Sequence, residues 1–132
     1  MACAATTDRG DFPETDISVG STDLRVWVAD EPDERSQGLR EMTRLPADID
    51  GMLFAFTKPA VPTFVMEDTR LALDLWFFDE DGVLIATEEM EPCSAEPCAR
   101  YPAPGEVSWA LETPLGVHEF EPGDLLSTSD FG

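Results

Sequence analysis

Turn chemistry cuts this chain into short β-forming runs, and that punctuation is the strongest constraint on its fold. "DISV" and "LRVWVA" flank "GSTD"; "GMLFAF", "TFVM", "LDLWFF", "VLIATEEM", "EVSWALE" and "LLST" follow, each rich in aromatic or branched residues. In the first strand pair Leu24, Val26 and Val28 alternate with Arg25 and Trp27, so one face should meet a core. "DEDG" at 79–82 is read as a hairpin turn with a two-residue Asp-Gly loop, and "EPGD" at 121–124 as a second tight turn.

Only one segment carries helix signals. "DEPDERSQGL" offers Asp30 as N-cap, acids in the first turn and Gly38 as a left-handed stop, which predicts a helix near residues 31–37. Leu39, Met42 and Leu45 then fall near helical spacing, but Pro46 breaks the run and a loop is expected. The predicted class is mainly β: an antiparallel sandwich or distorted barrel of about seven to eight short strands with one short helix. Residues 1–14 are polar and read as a disordered tail, and 15–132 as a single domain without repeats or an internal linker.

Charge narrows the partners. Lysine and arginine total 8 against 28 acids, a net charge of −20, so phosphate backbones and anionic lipid are repelled and nucleic acid is not an expected partner. The acids are spread along the chain, which favours a solvated surface over a cation site, and no calcium-loop pattern is present. No apolar run approaches a membrane span. Met42, Met52, Met66 and Met90 are read as core filler rather than ligands of a soft metal. No cofactor and no metal are expected.

"MEPCSAEPCARYPAPG", residues 90–105, cannot be helical, and its Cys93 and Cys98 admit three readings. Structural zinc needs four ligands, whereas the chain has three cysteines and one histidine, His118. A redox pair has two intervening residues and opens a helix; here four intervene, and Pro92 and Pro97 precede the sulfurs. A disulfide is the favoured reading, with reduced structural thiols the alternative. It implies an oxidising, extracytoplasmic compartment: periplasm, cell surface or medium. Tyr101 is expected to pack on this loop. Cys3, among small residues ahead of a polar stretch, resembles the lipidated first residue of a bacterial lipoprotein; an ordinary free thiol is the alternative.

Met66, Asp68, Thr69 and Asp74 span a strand junction where side chains can converge on a shallow cleft, and they are the candidate ligand face. Local turn capping by Asp68 and Thr69 is the competing structural account. Asp74 lies inside an apolar run and needs a partner, for which Arg35, Arg44 and Arg70 are the ion-pair candidates. Asp68 and Asp74 could alternatively act as an acid/base pair. No motif equips His118 for nucleophilic catalysis.

"DERSQGL", "REMTRLPADIDGMLFAF", "TFVMEDTRLALDLWFFDEDGVL" and "EPCSAEPCARYPAPGEVSWALETPLG" together resemble, in order and spacing, the family called domain of unknown function 192 (DUF192), from about Leu24 to Leu126. That family's Phe-Trp-Met-Lys-Asn-Thr segment and following Pro-Leu-Asp step correspond to Phe64, Val65, Met66, Glu67, Asp68, Thr69 and then Ala72, Leu73, Asp74. Met66, Thr69 and Asp74 keep the pattern; Val65, Glu67, Asp68 and Ala72 depart from it, so an anion bound by the family's Lys and Asn is not expected here. The resemblance implies a compact β-rich domain, commonly exported in bacteria and archaea, with no established reaction. The reading that results is an exported or lipid-anchored accessory domain that binds a small ligand or a protein partner, and a monomer; the alternative is an enzyme using Asp68 and Asp74.

Overall fold

The computed structural model describes residues 12–128. Nine strands and one helix follow in the order β1 (Glu14–Val19), β2 (Thr22–Ala29), α1 (Pro32–Gln37), β3 (Gly51–Ala60), β4 (Thr63–Val65), β5 (Leu73–Phe78), β6 (Leu84–Met90), β7 (Arg100–Pro102), β8 (Val107–Pro114) and β9 (Leu126–Thr128). The distorted-barrel reading is correct: seven strands form one curled sheet, β6-β5-β8-β3-β2-β1-β9, and β4 pairs with β7 in a small second sheet. The curl brings the sheet's two edges together at one end. There Val83 bridges Leu125, and Leu84 N–H donates to Asp124 O at 2.9 Å.

Several expectations need correction. Pairing is not antiparallel throughout, because β2 and β3 run parallel, with Val26 opposite Gly51 and Ala29 opposite Phe54. Parallel neighbours need a long connection, and residues 30–50, containing α1, supply it. The N-cap is Glu31, one residue after Asp30; Glu31 and Glu34 form a reciprocal capping box. Gly38 does leave the helix at positive φ (49°), but its ψ of −133° is outside the left-handed helical region. The hairpin at 79–82 is a tight turn with a longer loop than two residues: Gly82 N–H donates to Asp79 O, Asp79 N–H to Val83 O, and only Gly82 takes positive φ. Asp79 Oδ1 accepts the N–H groups of Asp81 and Val83, which secures the longer turn. Strand β7 was not anticipated; its Tyr101 pairs with Phe64 and packs on the core rather than only on the proline loop. At the N-terminal boundary Phe12 is buried and Pro13 O accepts from Val28 N–H, so these residues belong to the packed domain. Residues 1–11, with Cys3, lie outside the described residues.

At its centre the main sheet is covered on both faces, which is why β5 has no exposed residue. Leu73, Leu75 and Phe77 join Trp27, Met42, Met52, Phe54, Met66 and Met90 on one face, beneath the 38–50 loop and β4–β7. Trp76 and Phe78 join Ile17, Leu24, Val26, Leu53 and Leu111 on the other, where Phe120 stacks edge-on against Trp76 with ring centroids 4.7 Å apart. Trp76 Nε1–H donates to Thr113 Oγ1 at 3.0 Å, so the indole is buried with its polar atom satisfied. Each fully buried large side chain contributes about 1.5–3 kcal/mol relative to exposure.

β3 and β8 approach so closely that a Cβ at Gly51 would overlap the carbonyl oxygen of Glu112. Because the obstacle is backbone in a central strand, Gly51→Ala is expected to lower stability by about 1–3 kcal/mol or more. Urea unfolding checks this; an unchanged midpoint contradicts it.

Candidate functional site

Parallel pairing of β2 and β3 makes the 30–50 segment cross one face of the sheet, and a partly open space remains where it does not fill that face. This cavity, of about 410 Å³, has in its lining Phe54 and Phe56 of β3, Phe64 of β4, Arg35 of α1, Arg40 of the loop after the helix, Thr69 of the turn after β4, and Glu112 of β8. Three phenylalanines contribute to a lining that also carries polar groups, and Phe64 meets Phe54 edge-on at 5.2 Å and Phe77 at 6.0 Å. A broader depression of about 730 Å³ over β1, β2 and β9 is open to solvent, and its one cation, Arg25, is engaged with Glu14 and Asp16.

The inner wall of the cavity carries one carboxylate. Glu112 is 5% exposed and lies between Met52 of β3 and Leu75 of β5 in the ladder. Among the described residues its side chain has neither a hydrogen bond nor an ion pair. Burial disfavours its charged form and raises its pKa to about 8. A buried polar group without a partner costs stability, and a strongly shifted carboxylate in a cavity is a functional-site candidate.

The two arginines at the cavity are engaged elsewhere. Arg35 Nη1–H donates to Asp30 O at 2.9 Å and to Ala55 O at 3.0 Å, and its guanidinium carbon lies 5.2 Å from the Phe56 ring centroid. Arg40 faces Asp68 at 3.5 Å and Glu67 at 3.8 Å. These contacts tie the helix and its following loop to β3 and to the 66–70 turn.

The residues expected from the sequence are dispersed. Met66 is buried in the core. Thr69 is also buried and does line the cavity; its N–H donates to Met66 O, closing a turn in which Asp68 holds φ of 60°. Asp is one of the few non-glycine residues that tolerates this region, so Asp68 has a structural role, with its exposed carboxylate toward Arg40. Asp74 sits on β5 in register with the residues of the opposite sheet face, and its Oδ2 accepts the Gly116 N–H at 2.9 Å. No arginine pairs with it among the described residues: Arg35 is tied to backbone carbonyls, Arg70 pairs with Glu41 at 3.2 Å, and Arg44 is exposed. The structure thus replaces the expected ion pair by a backbone donor, and does not bring Asp68 and Asp74 together. His118 stacks on Phe120 and does not line the cavity.

Cys93 and Cys98 are disulfide-bonded. The Asp68 N–H donates to Cys93 O at 3.1 Å, and Glu67 forms a bridge with Cys93, so the bonded loop backs the turn that presents Thr69 to the cavity.

Sequence reasoning missed Glu112 because it ended the strand at that residue and gave it no depth. The strand continues to Pro114 and encloses it. The available signal was a lone acid following "WAL" in a strand buried on both faces.

Folding retains the Glu112 proton between about pH 4.5 and 8. Its raised pKa means that the folded state binds more protons in this window, so its contribution to stability is fully present below about 4.5 and is lost as pH rises through 8. Glu112→Gln is expected to flatten this part of the profile and, above pH 8, to be more stable than wild type by up to about 5 kcal/mol. Denaturant unfolding of both proteins across pH checks it; parallel profiles contradict it. Mass mapping without reductant is expected to recover Cys93 joined to Cys98, and two alkylatable thiols there contradict the bond.

The DUF192 family model, described as "Uncharacterized ACR", matches residues 15–128. No curated protein matches the chain. Two solved structures are similar. One is a Sinorhizobium meliloti 1021 protein described as a candidate transcription regulator, 25% identical over 89% of this chain and 95% of that one, with a TM-score of 0.78. The other is a Novosphingobium aromaticivorans DSM 12444 protein of unknown function, 23% identical over 90% of this chain and 88% of that one, also with a TM-score of 0.78. The extent of the family match, together with the shared fold, identifies this chain as a member of the DUF192 family.

Proposed function

We propose that this protein is a small-ligand binding module and that its site is the cavity between the main sheet and the 30–50 cap. The observation that carries this reading is Glu112: a buried carboxyl group without a side-chain partner, lining a space of ligand size together with Phe54, Phe56 and Phe64. The ligand face moves from the Met66–Asp74 surface to the interior, with Thr69 the residue common to both. An acid/base enzyme built on Asp68 and Asp74 is not favoured, because each carboxylate has its own structural partner. Nucleic acid is not proposed as a partner, since a net charge of −20 opposes phosphate binding.

The proposed address is outside the cytoplasm, with lipid attachment at Cys3 the form that holds the domain at a membrane. The Cys93–Cys98 bond supports an oxidising compartment. Among the described residues no helix is long and apolar enough to cross a membrane. Fractionation of the native cells is expected to find the chain outside the cytoplasm, and a reduced cytoplasmic pool overturns this address.

A fragment screen by amide NMR tests the site. Binding fragments are expected to shift the signals of Phe54, Phe56, Phe64 and Thr69, and Ser36→Trp, placed on the exposed rim, is expected to weaken them about tenfold. Shifts confined to other surfaces, or hits indifferent to that variant, overturn the assignment.

A further inference from the structure

The chemistry of the cavity selects among ligand classes. We propose that the site takes a small organic cation, an amine carried on an apolar body, with its ammonium group paired to the Glu112 carboxylate and its body against Phe54, Phe56 and Phe64. This deepens the cavity-binding reading and rests on it.

Three observations carry the class. First, the carboxylate has no counter-ion of its own. Its cross-strand neighbours are the apolar Met52 of β3 and Leu75 of β5; Phe54, Phe64 and Thr69 line the same space, and the Thr69 hydroxyl donates to Glu67 O. The only other charged groups lining the cavity are Arg35 from the helix and Arg40 from the loop after it, and burial alone perturbs Glu112, so neither arginine neutralises it.

Second, the aromatic walls suit a cation. Ring faces attract positive charge, and the attraction grows where water is excluded. Phe56 already holds the Arg35 guanidinium against its ring, an internal example of the same contact. Third, the protein's net charge of −20 raises the local concentration of cations and opposes anions. An anionic ligand would find both arginines occupied and, once Glu112 ionises near pH 8, would be opposed by its carboxylate.

Pairing with a cation requires Glu112 to ionise, so binding releases its proton to solvent. Affinity for an amine should therefore rise with pH until Glu112 is ionised in the free protein, near pH 8. A neutral ligand held by the protonated acid shows the opposite trend.

The test uses the full chain with three probes of one shape: phenethylamine, 2-phenylethanol and phenylacetate, titrated by calorimetry and amide NMR. Phenethylamine is expected to bind at pH 8 at least about tenfold more tightly than the other two, and about fiftyfold more weakly at pH 6 than at pH 8. Glu112→Gln, which keeps the side-chain shape and whose fold is read in the same spectra, is expected to erase both differences. Equal or tighter binding of the alcohol or the anion overturns the cation assignment while leaving the cavity as the site. A preference for phenethylamine that survives in Glu112→Gln also overturns it. If none of the probes moves the Phe54, Phe56 and Phe64 signals, the cavity reading fails and the cation assignment with it.

Discussion

The parallel pairing of β2 with β3 governs the rest of the molecule. Antiparallel neighbours can be joined by a tight turn, as β1 and β2 are through Gly20 and Ser21, but a parallel pair requires a crossing segment. Residues 30–50 are that segment, and they cannot cross without covering one face of the sheet. Arg35 fixes the crossing by donating to carbonyls at both of its ends, Asp30 before the helix and Ala55 on β3. The cap and the cavity follow from this one connection, while the curl of the sheet and Phe120 bury the other face of β5.

Placing a carboxylate beneath such a cap is expensive in electrostatic terms. Asp74 shows the usual solution, in which a buried acid accepts a backbone N–H and holds the turn after β8. Glu112, two residues before the end of that same strand, lacks such a donor among the described residues. Two buried acids on opposite sides of one sheet therefore play different parts: one fixes the fold, and the other leaves its chemistry available.

The strand succession was legible because its signals are local. The "LDLWFF" strand and the "EPGD" turn appear where branched, aromatic and turn-forming residues predict them. The disulfide was legible by elimination of the other cysteine chemistries. What escaped was non-local. Whether β2 pairs parallel or antiparallel with β3 depends on the path of the intervening loop, which leaves no mark in either strand. Asp74 looked like half of an ion pair because its donor, the Gly116 N–H, is a backbone group that sequence does not single out. Glu112 looked like a strand end because only the ladder with Met52 and Leu75 reveals how deep it lies.

The curl that joins Val83 to Leu125 closes the sheet only at one end, so the rest of β6 remains an edge. Its Thr87, Glu88 and Glu89 are exposed. A second copy adding itself there as a further strand would bring like charges into neighbouring rungs, where hydration is lost and repulsion is strongest. The acidity of this chain thus acts as a local guard against polymerisation, at the place where an incompletely closed barrel is most open to growth.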